Sequence, residues 1–61
     1  MAKAPSFQAK AIYDYTAVTP EELSIAEGDV IKVTDALDSD WWTGEVGGRS
    51  GTFPANYVER L

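Results

Sequence analysis

From Ala9 to the C-terminus, no run of apolar residues keeps helical spacing for more than one turn. What recurs instead is short alternation of apolar and polar residues, broken at close intervals by glycine, proline and acidic side chains. A helix needs an apolar stripe repeating every three to four residues, whereas a strand needs one repeating every two. The pattern therefore predicts an all-β chain, with strands at residues 8–12, 30–34, 41–46, 49–53 and 58–61. Gly47-Gly48 lies between two of these runs and signals a two-residue hairpin, because both central positions of such a turn take positive φ. Pro54 stops the fourth strand, and Ala55 to Tyr57 can form one helical turn of the 3-10 type. Five short strands with tight connections suit a small barrel or two packed sheets.

Size and composition limit what such a barrel can do. The 61 residues hold one domain, and a chain this short has a minimal core. It contains no cysteine and no histidine, so disulfides and zinc sites of the usual Cys/His kind are excluded. Catalysis would have to rest on carboxylates, serine, lysine or tyrosine. No Ser-Lys spacing, phosphate-cradling glycine loop or buried carboxylate pair is present to support it. The sequence predicts a non-enzyme without a cofactor or metal. Ten acidic residues against five basic ones give a net charge of -5, with Lys3, Lys10, Lys32, Arg49 and Arg60 scattered. Nucleic acid and anionic membrane surfaces are poor partners for that balance, and a basic partner is favoured. No apolar run approaches the ~20 residues that span a bilayer. Residues 1–6 show no periodic pattern and read as a disordered leader or linker, which leaves residues 7–61 as the domain.

The aromatic residues exceed what this core needs. Trp41 and Trp42 are neighbours, so in a strand they point to opposite faces. Trp42 shares its face with Gly44 and Val46 and leads to the core. Trp41 shares its face with Thr43 and Glu45 and is displayed among polar residues. Tyr13 and Tyr15 likewise flank the charged Asp14 on one side of an extended segment. Together with Tyr57 and Pro54 they offer flat apolar ridges with polar tips. An extended proline-rich ligand needs such grooves for its rings, and hydroxyl or indole donors for its exposed carbonyls. The expected core is Ala9, Ala11, Leu23, Ile25, Ile31, Val33, Gly44, Val46, Phe53 and Val58.

Three segments then resemble one family. Ala11-Ile12-Tyr13-Asp14-Tyr15 resembles the ALYDY motif of Src-homology 3 (SH3) domains, with isoleucine replacing leucine. Asp40-Trp41-Trp42 is similar to the family's paired tryptophans after an acidic loop. Gly51-Thr52-Phe53-Pro54-Ala55-Asn56-Tyr57-Val58 resembles its closing motif. The resemblance covers the chain from about Phe7 to Leu61, and the closing segment is similar to modules of actin-linked proteins, including endocytic scaffolds and class I myosin tails.

The resemblance implies a five-stranded barrel of two small orthogonal sheets. It implies that Tyr13 and Tyr57 form one proline-dipeptide groove and that Tyr15, Trp41, Pro54 and Tyr57 line a second. Asn56 and the Trp41 indole would donate to ligand carbonyls. Residues 13–29 correspond to the family's RT loop and residues 36–40 to its n-Src loop. Their acidic residues, Glu21, Glu22, Asp38 and Asp40, would form the specificity pocket for a ligand Arg or Lys. The implied protein is a monomeric module of a larger cytoplasmic protein, with proline-rich segments of other proteins as partners and an association with the actin cortex. Two departures bear on breadth. Thr52 stands where some members carry an aromatic, and Ala17 and Val18 make the region before Pro20 less polar. The same residue types could also cage a methylated lysine, and the same face could take an atypical ligand lacking PxxP.

Overall fold

The computed structural model describes residues 6–61, so the expected leader at residues 1–6 lies, except for Ser6, outside the described residues. Five strands and one 3-10 turn make up the fold: β1 (Phe7–Ala11), β2 (Val30–Asp35), β3 (Trp41–Val46), β4 (Arg49–Pro54), the turn Ala55–Tyr57, and β5 (Val58–Arg60). They form one antiparallel ladder in the order β4-β3-β2-β1-β5. β2, β3 and β4 follow one another as a meander, and the chain returns through the 3-10 turn to lay β5 along β1.

Strand boundaries differ slightly from the sequence expectation, for packing reasons. β1 begins one residue earlier because Phe7 pairs with Val33 and meets the Trp42 ring edge-to-face at 5.4 Å. Ile12 leaves the ladder, and its amide donates to the Tyr57 carbonyl at 2.9 Å. That bond ties the start of the RT loop to the 3-10 turn. The Gly47-Gly48 hairpin forms as expected, with φ of 58° and 80° and Val46 paired to Arg49 across it.

The RT loop is itself hairpin-like. Tyr15 and Ile25 exchange both backbone hydrogen bonds, at 2.8 and 2.9 Å. At its far end, Glu22 donates to the Thr19 carbonyl across a turn with Pro20 at its second position, which proline's fixed φ favours. The returning arm then lies along β4. Leu23 donates to the Thr52 carbonyl at 2.7 Å, and Thr52 donates back to that of Glu21 at 3.0 Å. This approach covers the outer edge of β4, which would otherwise present unpaired backbone groups.

Alternation along the strands fills the interior. Ala9 and Ala11 of β1, Leu23 and Ile25 of the RT loop, Ile31 and Val33 of β2, Phe53 of β4 and Val58 of β5 form the buried cluster. Gly44 is also buried, between Ile31 and Phe53. Val46 departs from the expected core and is only half-buried, because it sits beside the hairpin where β3 and β4 run past the packed interior.

Candidate functional site

The exposed aromatic residues assemble into one continuous file. Tyr13 meets Tyr57 with ring centroids 5.6 Å apart, Tyr57 meets Tyr15 at 5.6 Å, and Tyr15 meets Trp41 at 6.1 Å. All three contacts are edge-to-face, the arrangement that ring quadrupoles prefer. Three separate parts of the chain supply these rings: the RT loop, the start of β3 and the 3-10 turn. Tyr13 is 59% exposed and Trp41 41%, so the two ends of the file face solvent while Tyr15 and Tyr57 are half-buried between them.

Trp41 stands opposite Pro54 in the β3–β4 ladder. Behind this pair, the Ala55 amide donates to the Asp40 carbonyl at 2.8 Å and fixes the end of the n-Src loop to the 3-10 turn. An open cleft of about 270 Å³ results, lined by Ser39, Asp40, Trp41, Pro54 and Asn56. On the other face of β3, Trp42 packs against Phe7, over whose ring the Arg60 guanidinium lies at 3.9 Å. The two neighbouring tryptophans thus serve different surfaces.

The acidic loop residues occupy distinct environments. The Tyr15 hydroxyl donates to Glu22 Oε1 at 2.5 Å, and the Val18 amide donates to the same oxygen at 3.0 Å. These bonds hold the Glu22 carboxyl below its ordinary range, the tyrosine contributing most. The same bond, followed by desolvation, pushes the Tyr15 hydroxyl up to about 12. In the n-Src loop, Asp38 Oδ1 accepts from the amides of Asp40 at 2.7 Å and Trp41 at 3.2 Å, which lowers its pKa. Asp40 borders the cleft, and Glu21 is exposed on the arm that lies along β4.

Each expected site residue therefore has a defined place. Tyr13, Tyr15, Trp41 and Tyr57 form the file, Pro54, Asn56 and Asp40 border the cleft at its end, and Glu22 joins the file through Tyr15. Asp38 is turned into its own loop, and Glu21 is anchored by its main chain at Thr52. Two contributors escaped the sequence reading. Ser39 lines the cleft, a position no local pattern marks. Asp14 accepts from the Glu27 amide at 2.7 Å and struts the base of the RT loop. Parity between the two tyrosines already turned Asp14 away from them, which was the available signal.

Known proteins share both the sequence and the shape. The sequence model of a family described as "Variant SH3 domain" matches residues 11–59. A myosin IC heavy chain of Acanthamoeba castellanii is 50% identical over 54 residues, covering 88% of this chain but only 5% of that protein. Intersectin-1 of Mus musculus is 48% identical over 52 residues, covering 85% of this chain and 3% of its own length. Among solved structures, the Acanthamoeba myosin I SH3 domain bound to Acan125 superposes with a TM-score of 0.86 at 46% identity, covering 95% of this chain and 100% of that one. The C-terminal SH3 domain of myosin IB from Entamoeba histolytica, bound to an EhFP10(GEF) peptide, gives 0.84 at 46% identity, covering 100% and 98%. With a family match across most of its length and relatives at about half identity, the chain belongs to the SH3 domains, which are non-catalytic interaction modules.

Proposed function

We propose that this SH3 domain, spanning residues 7–61, binds proline-rich segments of other proteins in polyproline II conformation, with a flanking Arg or Lys facing the acidic loops. The observation that carries this reading is the file of rings Tyr13–Tyr57–Tyr15–Trp41, closed at its end by Pro54. A linear file suits an extended ligand, which lays successive ring pairs between successive ridges. A methyl-lysine cage would instead need rings converging around one point. Asn56 and the Trp41 indole lie on the exposed surface beside the cleft, where they can donate to ligand carbonyls. Two structural neighbours are peptide- or partner-bound SH3 domains, which supports a peptide ligand here.

Asp40 in the cleft wall beside Trp41, and Glu22 bonded to the Tyr15 ring that meets Trp41, bring negative charge to that end of the file, with Glu21 and Asp38 on the same two loops, and favour a basic flank. Exposed ion pairs contribute only ~0.2–1 kcal/mol each. Shallow grooves of this kind correspond to micromolar affinity, about -7 to -8 kcal/mol. Relatives among myosin I heavy chains, a class E vacuolar protein-sorting protein and intersectin-1 support a module of a larger cytoplasmic protein linked to the actin cortex or to endocytic sorting, such as a class I myosin, and the module itself is read as a monomer.

The test is a titration of ¹⁵N-labelled domain with two proline-rich peptides, one carrying Arg before its PxxP core and one after it. Shifts at the Trp41 indole and Asn56 that saturate at micromolar concentration are expected with at least one peptide. An unchanged spectrum with both would overturn the reading.

A further inference from the structure

The outer turn of the RT loop carries a hydroxyl that the groove does not use. Thr19 opens that turn, accepting the Glu22 amide on its carbonyl at 3.1 Å, and Pro20 follows at the second position. Val18, Thr19, Pro20 and Glu21 are all exposed, so an enzyme can approach this corner from outside. A threonine followed directly by proline is the substrate form of proline-directed protein kinases. Their site for the next residue is shaped for a ring and asks for no N–H, which proline lacks.

The turn also fixes what a phosphate at Thr19 would face. Such a turn brings its first and last Cα atoms within about 7 Å, here those of Thr19 and Glu22. The Thr19 side chain is itself among the groups that hold the Glu22 carboxyl below its ordinary range. That carboxylate is engaged, because Oε1 accepts from the Tyr15 hydroxyl at 2.5 Å and from the Val18 amide at 3.0 Å. A phosphate ester brings a charge of about -1.5 to -2 at neutral pH, and beside a carboxylate it repels unless a cation pairs with it. Among the described residues no cation is placed to do so. The Arg49 guanidinium is bonded to the Ser24 carbonyl, that of Arg60 lies over the Phe7 ring, and Lys10 and Lys32 belong to β1 and β2. Glu21 adds a further negative charge on the same turn.

We infer that Thr19 is a phosphorylation site for a proline-directed kinase, and that its phosphate drives the Glu22 carboxylate away from Tyr15 and Val18 and so loosens the groove. The γ-phosphoryl group of ATP passes to Thr19 Oγ1. The new P–O bond forms as the bond to the β-phosphate oxygen breaks, the hydroxyl proton goes to the kinase's catalytic carboxylate, and ADP leaves. The site stands on the turn alone. Its consequence for binding rests on the groove reading above, because Tyr15 is a ring in the middle of the file.

The folded domain, Thr19→Val and a synthetic peptide of residues 13–27 are each incubated with a purified mitogen-activated protein kinase and Mg²⁺-ATP. Fragment mass spectrometry is expected to place one phosphoryl group on Thr19 of the domain and of the peptide, and none at position 19 of Thr19→Val. Phosphorylation of the peptide but not the domain would show that the turn shields the hydroxyl, and phosphorylation of neither would remove the kinase class. Either result overturns the site.

The domain carrying phosphothreonine at position 19, made by total synthesis, is then compared with the unmodified domain. Hydrogen exchange at the Val18 amide is expected to accelerate. Affinity for a proline-rich peptide with Gln in place of its flanking Arg falls about fivefold, the size of one net hydrogen bond. That neutral peptide keeps direct attraction between the phosphate and a ligand cation out of the reading. Thr19→Val stays within about twofold of wild type, as exposed substitutions do. Unchanged Val18 exchange and affinity in the phosphorylated domain would overturn the switch. An unmodified domain that binds no proline-rich peptide would refute the groove reading, and Val18 exchange alone would then decide whether the phosphate releases Glu22.

Discussion

Trp41 and Trp42 differ by one position and by which surface they serve. Trp41 ends the aromatic file, and Trp42 packs on Phe7 behind the sheet. Truncating Trp41 removes a ring that is 41% exposed and that no core residue leans on, so Trp41→Ala is expected to weaken ligand binding at least tenfold while the thermal midpoint moves by only a few degrees. A collapse of the thermal transition would instead make the indole structural. The Tyr15–Glu22 bond carries a pH signature at the same scale. Glu22 and Asp38 have folded pKa values below their ordinary 4.5 and 3.8, so they stabilise the fold at neutral pH, and that contribution fades as pH falls through those values and below. Tyr15 is raised from 10.0 to about 12, so its contribution is intact below pH 10 and is lost between there and about 12. Spectrophotometric titration should show a tyrosine step near pH 12, and Tyr15→Phe should remove that step. The period of two made the tryptophan assignment legible, since parity needs only neighbouring letters. The engagement of Glu22 was not legible, because its donors meet it through the folding of the RT loop back on itself.

At the scale of elements, two glycine sites play different parts. Gly48 has φ of 80° with open space around its missing Cβ, so Gly48→Ala strains only the hairpin and is expected to cost about 1 kcal/mol without changing ligand affinity. Gly51 lies where the RT loop crosses β4. A Cβ there would sit 2.7 Å from the Glu21 carbonyl oxygen and 2.8 Å from the Glu22 carbonyl carbon, both rigid backbone atoms. Gly51→Ala must therefore push the RT loop away from β4, at about 1–3 kcal/mol, and should weaken both folding and binding. Urea denaturation beside peptide titration checks the contrast, and equal effects of the two variants on affinity would refute it. The hairpin was readable from Gly47-Gly48 because turn chemistry is local. The loop's contact with β4 joins Glu21 to Thr52 across much of the chain, so nothing in either segment announces it. Leu23 and Ile25 gave a partial cue, since their alternation inside a polar loop marked an ordered, inward-facing arm.

The molecule as a whole has little stability to spare. Domains hold about 0.05–0.15 kcal/mol per residue, which for this length is roughly 3–9 kcal/mol. Phe53 is among the largest fully buried side chains, and it lies one residue before Pro54 on the strand that carries the groove wall. Replacing it with alanine typically costs about 3–5 kcal/mol, a large share of that total. Phe53→Ala is therefore expected to be substantially unfolded at 37 °C, although Phe53 touches no ligand in the proposed mode. The rings of the file come from the RT loop, β3 and the 3-10 turn, so the groove exists only when these parts are assembled. A ligand that binds the assembled groove alone shifts the folding equilibrium by mass action, about 2.7 kcal/mol at a hundredfold excess over Kd. Saturating proline-rich peptide should thus restore most of the native circular dichroism to Phe53→Ala, and a scrambled peptide should not. If the variant unfolded without any rescue while wild type bound the same peptide tightly, groove and core would not form one cooperative unit. Rescue would show that the core's main task in so small a barrel is to keep three distant segments close enough to make one surface.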